Sequence, residues 1–588
     1  MSEAVEPQPG ERRNWELLKR VWPYARRQVR LFILALLMLP PLAAASAIGP
    51  ILIQRAIDGP ARTGDMATLH WLAFLFALTV IVRLALQAWQ GYLLQQAGQR
   101  MTADIRSALF AHVTRLSSSY FSRTPVGKLI TRLTSDVEAL GEVFSTGGVG
   151  ILSDAVSIVI VAAFMFMLRW DLALVVVVLL FPITAIVIWF QNTYRAANSR
   201  VRESLSNLNA ILQENLIGVN VVQMFRREGR NAEHFERVNR EYIQSVDETI
   251  LYDSALSAVM EWISLVAIAG VLWYGGGQVL QNAITFGTLV AFIQYAQRLF
   301  DPIRQLGERF TSIQSGFTSL ERITGILDEP IEIKDQKQPL QLPADGAGEV
   351  TFQNVWFAYK ADEYVLKNVS FTIKPGQTVA LVGPTGSGKS TIIRLLCRLY
   401  EPTQGRILID GVDIRLIAQE ELRHRIGVIL QEGFLFSGDI NSNIALGEPF
   451  SEAEIQQAAR AMNVDRFIRE LPNGYKTQVR ERGNNLSGGQ KQLLAFARAA
   501  VRNPRILILD EATASLDVGT EALIQQDLGR LLEGRTCIMI AHRLSTIRDV
   551  DRILVLRKGK LVEDGSHEQL LTQHGLYESL YRLQALAS

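Results

Sequence analysis

The sequence predicts a two-domain chain: an all-α membrane domain with six spans, followed by an α/β domain of the P-loop type. Its 588 residues are too many for one hydrophobic core. The first half carries about six apolar stretches near the roughly 20 residues that cross a bilayer. The second half has soluble composition and a glycine-rich loop between an apolar strand and a helix. We expect a cytoplasmic N-terminal segment at 1–30, the membrane domain at 31–326, a linker at 327–348 and the P-loop domain at 349–588.

Composition argues against several other classes of protein. The formal net charge of +2 gives no reason to expect a nucleic-acid partner. Cys397 and Cys537 are the only cysteines, which excludes a disulfide framework for most of the chain and favours reduced cytosolic thiols. The segment before Leu31 is largely polar. The apolar run then continues past the small residues Ala43–Ala47 to Ile53, which predicts a membrane span and not a cleaved signal peptide.

Six stretches are predicted to span the bilayer. Buried helices of a soluble protein are the alternative, but lengths near the roughly 20 residues of a span, with few charges, argue against it. Pro40 and Pro41 predict a kink in the first span, and the last span is the shortest. The predicted spans are Leu31–Ile57, Leu69–Tyr92, Val149–Leu168, Leu172–Phe190, Leu251–Gly275 and Phe286–Phe300.

The connections between the spans alternate in length and in charge. Two of them, after the second and fourth spans, run for about fifty to sixty residues with apolar positions at helical spacing. Basic residues concentrate before the first span and in both long connections, whereas the short connections carry only Arg62 and Arg169. By the positive-inside rule, the N-terminus, the long connections and the C-terminal domain are expected to lie on the cytoplasmic face of a multi-pass membrane protein.

A phosphate-binding loop follows the predicted strand Val379–Val382 and precedes a helix that begins at Thr391. The loop reads Gly383-Pro384-Thr385-Gly386-Ser387-Gly388-Lys389-Ser390. Glycines let backbone N–H groups surround the phosphates, Lys389 reaches the β- and γ-phosphates, and the Ser390 hydroxyl ligates Mg²⁺. An ordinary glycine-rich turn is the alternative, but a chance match between a strand and a helix is improbable. We therefore predict a site for a nucleoside triphosphate that includes residues 383–391.

Two acidic residues follow an apolar strand further along the domain. Asp510 and Glu511 come directly after Ile506–Leu509. A carboxylate at Asp510 can hold Mg²⁺ through water, and Glu511 is placed to polarise an attacking water. A solvated acidic turn is the alternative, but the P-loop in the same domain favours the catalytic interpretation.

Between the loop and the acidic pair lies Leu486-Ser487-Gly488-Gly489-Gln490. With this run in this order and spacing, the part from about Val350 to Leu583 resembles an ABC nucleotide-binding domain. The first half resembles the six-helix exporter-type transmembrane domain that is fused to it in half-transporters. The resemblance covers nearly the whole chain and is nearest to the bacterial lipid A flippase and the multidrug-resistance-like exporters. It implies an ATPase that uses ATP and Mg²⁺ to move hydrophobic small molecules or lipids across the inner membrane by alternating access.

The resemblance assigns roles to further residues. Tyr359 is similar to the aromatic residue that stacks on adenine, although neighbouring Phe357 and Trp356 are core candidates. Gln431 is similar to the glutamine that touches Mg²⁺ or the water. The remaining assignments are Asp517, of Ser515-Leu516-Asp517, to the D-loop that joins two sites, and His542 to the histidine that contacts the γ-phosphate.

The resemblance also implies two short coupling helices at the tips of the long connections. They are expected around Ser119–Ser122 and Val221–Met224. Exporters often read Gly-Glu-Arg-Gly before the signature run, and Arg480 replaces the first glycine here. In the family this segment faces the coupling helices, so Arg480 is expected to alter coupling contacts without removing hydrolysis.

The resemblance further implies a dimer. In the family, Ser487, Gly488, Gly489 and Gln490 close over the γ-phosphate that a second copy holds. The positions that degenerate in heterodimeric exporters are intact here, which fits a homodimer and fits equally one partner of a heterodimer.

Three other classes were weighed. A non-transport ABC ATPase of the DNA-repair or translation type is disfavoured by the six apolar stretches. An importer is disfavoured because its two domains usually lie on separate chains. A peptide exporter with its own protease would need an N-terminal cysteine protease domain, and no cysteine precedes Cys397. Apolar, aromatic spans suit amphipathic or lipid-like substrates, but the sequence names no particular one.

Charged side chains within spans are costly, so each of them suggests a role. Arg83 lies in the middle of the second span and Glu261 in the middle of the fifth, whereas Asp154 and Asp253 lie nearer the cytoplasmic ends. For Arg83 and Glu261, a place in the translocation cavity is as good an interpretation as a structural one, in which the side chain forms an interhelical ion pair or snorkels to the interface. Our hypothesis is that Glu261 faces the cavity.

Overall fold

The computed structural model describes residues 14–344, 346–430, 433–510, 529–540 and 547–587. The chain divides into two compact units. The first contains Met1–Thr114 and Val126–Glu329, and the second contains Arg115–Pro125 and Pro330–Ser588.

Helices make up the first unit. Four of them are very long: α5 and α10 have 48 residues each, α12 has 53 and α13 has 42. The helices up to the linker are α1 (Asn14–Arg27), α2 (Val29–Leu37), α3 (Leu39–Asp58), α4 (Pro60–Thr63), α5 (Met66–Val113), α6 (Ser118–Arg123, in the second unit), α7 (Val126–Thr131), α8 (Val137–Glu142), α9 (Gly148–Leu168), α10 (Trp170–Ile217), α11 (Val219–Met224), α12 (Glu228–Leu280) and α13 (Phe286–Leu327).

All six predicted spans coincide with helices of this unit. The first is interrupted at Met38, just before Pro40 and Pro41, which confirms the predicted kink because proline fits the first turn of a new helix. Within the part of the chain that the structure describes, three helical stretches are long and apolar enough to cross a membrane: Val29–Thr63, Met66–Val113 and Val126–Leu168.

The long helices extend well beyond the predicted spans. At about 1.5 Å per residue, 48 residues reach about 70 Å, more than twice the roughly 30 Å of a hydrocarbon core. The second long connection is therefore mainly a continuation of α10 and α12, whereas the first joins the continuation of α5 to the shorter helices α6, α7 and α8. Short helices, α6 and α11, lie at the two places where coupling helices are predicted.

Close packing joins α13 to the bulged helical stretch that leads into α9. Two π-helical segments, Arg132–Asp136 and Val143–Gly147, flank α8. Val143 packs on Gly316, where an added Cβ would lie 2.1 Å from a Val143 methyl carbon. On the other side, a Cβ on Gly141 would lie 2.1 Å from the Thr102 hydroxyl oxygen of α5. Glycines therefore permit the backbone of the bulged stretch to approach both neighbours.

The charges found in the predicted spans differ in their surroundings. Asp154 of α9 forms an ion pair with Arg309 of α13, with 2.6 Å between Oδ2 and Nε. It is therefore an interhelical pair. Among the described residues, neither Arg83 nor Glu261 has an oppositely charged partner within 4.0 Å. Asp253 borders a cavity of about 190 Å³ between α10 and α12.

The second unit contains an α/β domain. A six-stranded sheet has the order β12-β11-β3-β10-β9-β6, and all its pairings are parallel except β11 with β12. An antiparallel sheet has the order β2-β1-β4-β5, and β7 pairs with β8. The strands are β1 (Val350–Ala358), β2 (Tyr364–Ile373), β3 (Thr378–Val382), β4 (Gln404–Ile409), β5 (Val412–Asp413), β6 (Ile426–Ile429), β7 (Gly438–Asp439), β8 (Gln478–Val479), β9 (Ile506–Asp510), β10 (Thr536–Ile540), β11 (Arg552–Arg557) and β12 (Lys560–Gly565).

Two clusters of buried side chains stabilise this domain. One packs the helix after the P-loop, α14, between the two large sheets, and the other packs α19 with α16 and α17. The described helices of the domain are α14 (Lys389–Leu396), α15 (Gln419–Arg425), α16 (Ile440–Ala445), α17 (Glu452–Ala461), α18 (Val464–Glu470), α19 (Gly488–Arg502), α20 (His567–Thr572) and α21 (Leu576–Ala587).

Candidate nucleotide-binding site

The predicted nucleotide-site segments leave the six-stranded sheet at one edge. Across three parallel strands, Leu381 of β3 pairs with Ile540 of β10, and Ile540 pairs with Asp510 of β9. Ile429 of β6 pairs with Leu509, one residue earlier. Because the carboxyl ends of parallel strands share an edge, the P-loop, Asp510 and the continuations of β6 and β10 all begin there. Ligands of open α/β sheets bind at this edge.

The P-loop has the backbone that a phosphate cradle requires. Gly386 and Gly388 have φ angles of +79° and +108°, which residues other than glycine rarely adopt. A Cβ on Gly388 would also lie 2.6 Å from Leu366 Cδ2. Gly388 precedes α14 and provides no side-chain cap, so the first N–H groups of the helix remain available to a ligand.

Lys389 and Ser387 line the cradle from within. Both are buried, at 7% and 3% exposure. The Lys389 ammonium donates hydrogen bonds to the carbonyl oxygens of Gly383 at 2.7 Å and Pro384 at 3.2 Å, so it lies over the loop. The Ser387 hydroxyl is buried without a hydrogen-bond partner among the described residues. A buried polar atom of this kind is satisfied when a phosphate oxygen binds in the loop.

The donor set suits Mg²⁺. Ser390 supplies a hydroxyl at the start of α14, and Asp510 supplies a carboxylate at the same sheet edge. The described residues contain no cluster of three or more His, Cys, Asp or Glu side chains. That is compatible with Mg²⁺, which usually keeps several waters and binds through one or two protein groups plus substrate phosphates.

Tyr359 presents an aromatic ring beside the start of α14. Its hydroxyl lies 3.1 Å from the Thr391 hydroxyl and accepts a hydrogen bond from Arg394 at 3.3 Å. The ring packs edge-on against Tyr400, with 5.1 Å between centroids, yet Tyr359 stays 40% exposed. Phe357, one of the two predicted core candidates, is 4% exposed and belongs to the core. Tyr359 therefore offers the open face that a flat base needs.

The signature run begins a different helix. Ser487 caps α19: its hydroxyl accepts from the Gln490 N–H at 3.2 Å, and the Gln490 side chain accepts from the Ser487 N–H at 2.9 Å. Leu486 is buried, whereas Ser487 and Gly488 are exposed. The capping box thus fixes the conformation of the run, and the run is exposed to solvent. Both properties suit a surface that contacts a ligand bound to another domain.

Arg498 connects the signature helix to the segment after β6. Its guanidinium donates to the Phe434 carbonyl at 2.6 Å, to the Asn443 carbonyl at 2.5 Å and to Asn443 Oδ1 at 3.0 Å. Burial lowers the pKa of Arg498 to about 10, with a smaller contribution from Arg502. These contacts of Arg498 are not predictable from the sequence, because no motif or periodicity pairs a helical arginine with a distant asparagine.

Four predicted site residues lie outside the described residues: Gln431, Glu511, Asp517 and His542. The structure describes the strand ends beside three of them. Gln431 follows β6 by two residues, Glu511 follows β9 directly, and His542 follows β10 by two residues. Their assignment remains a prediction.

Comparisons with known proteins match both halves of the chain. The ABC transporter transmembrane region family matches residues 32–303, and the ABC transporter family matches residues 366–514. An ATP-dependent lipid A-core flippase of Syntrophus aciditrophicus is 35% identical over 97% of this chain and 94% of its own length. A putative multidrug export ATP-binding/permease protein, YgaD, of Bacillus subtilis is 36% identical over 91% and 94%.

A solved structure agrees with the sequence comparisons. A bacterial Atm1-family ABC exporter with ATP bound matches with a TM-score of 0.76 and 31% identity, covering 95% of this chain and 98% of the other. These matches confirm the predicted fold class and the predicted ATP-driven transport. The chain belongs to the ABC transporter family, with an exporter-type transmembrane domain fused to an ABC ATPase domain that binds ATP and drives transport through a membrane.

Proposed function

We propose that the chain is half of a dimeric exporter that moves hydrophobic or amphipathic molecules, or lipids, across the bacterial inner membrane. One observation supports the proposed dimer. The signature run is capped, rigid and exposed on α19, whereas the P-loop is a partly buried cradle at the sheet edge. One chain therefore provides a P-loop and, separately, a signature run. In a dimer, the signature run of the second copy would complete the site at the P-loop of the first.

The proposed hydrolytic roles rest on this arrangement and, for Gln431, Glu511, Asp517 and His542, on the family resemblance. Lys389 and the P-loop N–H groups would neutralise the β- and γ-phosphates, and Ser390 with Asp510 would hold Mg²⁺, the latter through water. Gln431 would contact the metal or the attacking water. Glu511 and His542 would orient that water, while Asp517 would connect the two sites of the dimer. Bound Mg²⁺ supplies charge neutralisation at the phosphates.

Exposed apolar side chains at α11 and in the ATPase domain also support the proposed dimer. Val221, Met224 and Phe225, in and just after α11, are 55%, 73% and 70% exposed in the single chain. In the ATPase domain, Phe434 and Phe436 are 54% and 59% exposed. Apolar surface of this kind marks a site of protein interaction. We propose that each of these surfaces is covered by the second copy, which would make α11 a coupling helix.

The substrate class rests on the relatives. Their names specify lipid A-core in one case and multidrug export in the other, and both describe molecules that partition into membranes. We extend to this chain only what the two share, a hydrophobic or amphipathic substrate. The distribution of basic residues supports a cytoplasmic location for the N-terminus and the ATPase domain.

The first test is ATP hydrolysis by the purified chain alone in lipid nanodiscs, with a panel of lipids and hydrophobic cations. We expect Mg²⁺-dependent hydrolysis that some members of the panel change. That result would support a homodimer and begin to identify its substrate. Folded protein that binds ATP but does not hydrolyse it would contradict the homodimer and direct the search to a partner chain that co-purifies.

A further inference from the structure

One carboxylate of the linker contacts both ends of α6. The Ser117 hydroxyl, at the N-cap of α6, donates a 2.6 Å hydrogen bond to Glu332 Oε2. Arg123, the last residue of α6, lies with its Nη2 3.7 Å from Glu332 Oε1. Both contacts lie inside the second unit, which contains α6 together with the ATPase domain.

The helix itself is firmly seated in that unit. Leu116 and Tyr120, on either side of Ser117, are 7% and 8% exposed. Its covalent neighbour on the N-terminal side is the long helix α5, from which only four residues separate it. Motion along α5 therefore reaches α6 through a very short connection.

The linker continues from Glu332 to a buried arginine. The Lys334 carbonyl accepts a hydrogen bond from Arg398 Nη2 at 3.1 Å. Asp335 accepts one from the Gln419 N–H at 3.0 Å, and its Oδ1 lies 3.5 Å from Arg398 Nη1. Residues 332–335 thus form a strap that is fixed at both ends.

Arg398 joins the strap to the P-loop helix. It lies two residues beyond α14, and its backbone N–H donates to the Leu395 carbonyl at 3.0 Å. Its side chain is 1% exposed and also donates to the Ile417 carbonyl at 2.8 Å and to Glu401 at 3.1 Å. A buried guanidinium with this many partners is costly to displace, so this end of the strap is rigid.

We propose that Glu332 is a positioning residue that couples α6 to the P-loop helix through the 332–335 strap and Arg398. The inference rests on the proposed transport function, because it describes how nucleotide binding would reach the membrane helices. Glu332 and Arg123 have 46% and 64% exposed side chains, so their contact contributes little to folding stability. The contact at the α6 end can therefore be removed without unfolding the domain.

The test compares wild type with Glu332→Gln by amide hydrogen exchange of the full chain in nanodiscs, before and after ATP addition with orthovanadate. In wild type we expect ATP to slow exchange both in α14 and in α6. In Glu332→Gln we expect ATP to slow amide exchange in α14 as it does in wild type. In α6 we expect the factor by which ATP slows exchange to be smaller by about threefold or more, which is the size of effect that single side chains have on coupling between sites.

A matched control variant and a double-mutant cycle distinguish coupling through Glu332 from a general effect on folding. Glu470→Gln removes an exposed carboxylate of the same domain that has no side-chain contact among the described residues, and it should behave as wild type. Ser117→Ala should reproduce the α6 effect of Glu332→Gln, and the double variant should add nothing further. Purely additive effects would overturn the proposal.

The outcomes distinguish this inference from the proposed function. Wild-type protein that shows no ATP-dependent slowing in α14 contradicts the proposed ATPase site itself. Slowing in α14 without slowing in α6, or equal α6 slowing in wild type and Glu332→Gln, overturns the coupling role and leaves the proposed function standing. ATP hydrolysis by the same samples gives a second readout, since Glu332→Gln should retain basal hydrolysis.

Discussion

The P-loop helix and the signature helix begin in opposite ways, although both belong to one domain and both are expected to face a bound γ-phosphate, α14 that of its own P-loop and α19 that of the second copy. At α14 the residue before the helix is Gly388, with φ of +108° and no capping side chain. At α19 the residue before the helix is Ser487, and a reciprocal capping box with Gln490 occupies two backbone N–H groups. One helix start is left open to a ligand, and the other is already satisfied.

This difference matches the surroundings of the two helices. A helix start without a side-chain cap is tolerable in the P-loop because the loop is suited to hold an anion. The signature run is exposed and would spend part of the transport cycle without a ligand, so its own side chains satisfy the helix start. In the proposed dimer, we expect α14 to bind the nucleotide first and α19 of the second copy to close on it afterwards.

The largest expected effect comes from removing the charge at the open helix start. Lys389→Ala deletes the ammonium that covers the P-loop, and we expect ATP hydrolysis to fall about 100- to 1000-fold. The measurement is phosphate release in nanodiscs, with thermal unfolding as the check on folding. Hydrolysis within about threefold of wild type would remove Lys389 from the site and with it the contrast between the helices.

A smaller effect is expected at the capped helix start, where the chain provides its own control. Ser487→Ala should lower the free energy of unfolding by about 1 kcal/mol through loss of the cap. It should also reduce hydrolysis about tenfold or more by removing a hydroxyl from the second copy's site. Ser566 caps α20 in the same way with Gln569, at 3.0 and 3.3 Å.

The Ser566→Ala variant therefore separates capping from catalysis. It should cost a similar free energy of unfolding and leave hydrolysis near the wild-type rate. Nucleotide affinity of isolated chains, measured with a fluorescent ATP analogue, should be unchanged in both variants. If the two variants lost hydrolysis equally, the signature serine would act through stability alone.

Patterns of apolarity and local motifs predicted much of this architecture. The six apolar stretches all lie in helices, and the strand and helix around the P-loop appear at β3 and α14. Local signals were sufficient because span length and strand-to-helix turns depend on neighbouring residues. The proline pair at Pro40 and Pro41 likewise located the break in the first span from two residues alone.

Contacts between distant residues were not predictable in the same way. Ser117 and Glu332 are 215 positions apart, and Arg498 meets an asparagine 55 positions away. No periodicity or motif pairs such residues in one sequence. The close approach at Gly316 and the π-helical segments that bracket α8 depend on tertiary packing, which overrides local preference. Asp154 was noted only as a costly charge, and the structure supplies its partner.

The smallest expected effect concerns the aromatic ring beside the open helix start. Tyr359→Phe keeps the ring and loses only the hydroxyl contacts with Thr391 and Arg394, which are 3.1 and 3.3 Å long and partly exposed. Long, partly exposed hydrogen bonds such as these contribute about 1 kcal/mol or less, so we expect the dissociation constant for ATP to rise about twofold to fivefold.

Tyr359→Ala removes the ring as well, and loss of a base-stacking surface should weaken binding about tenfold or more. The ratio of the dissociation constants of the two variants shows how much the start of α14 depends on the Tyr359 side chain. A weak Phe effect with a strong Ala effect means that α14 binds phosphate by its backbone while Tyr359 contributes a flat surface. Equal losses in both variants would mean that the hydroxyl network positions Thr391 and the start of α14, so that the open helix start depends on side-chain support after all.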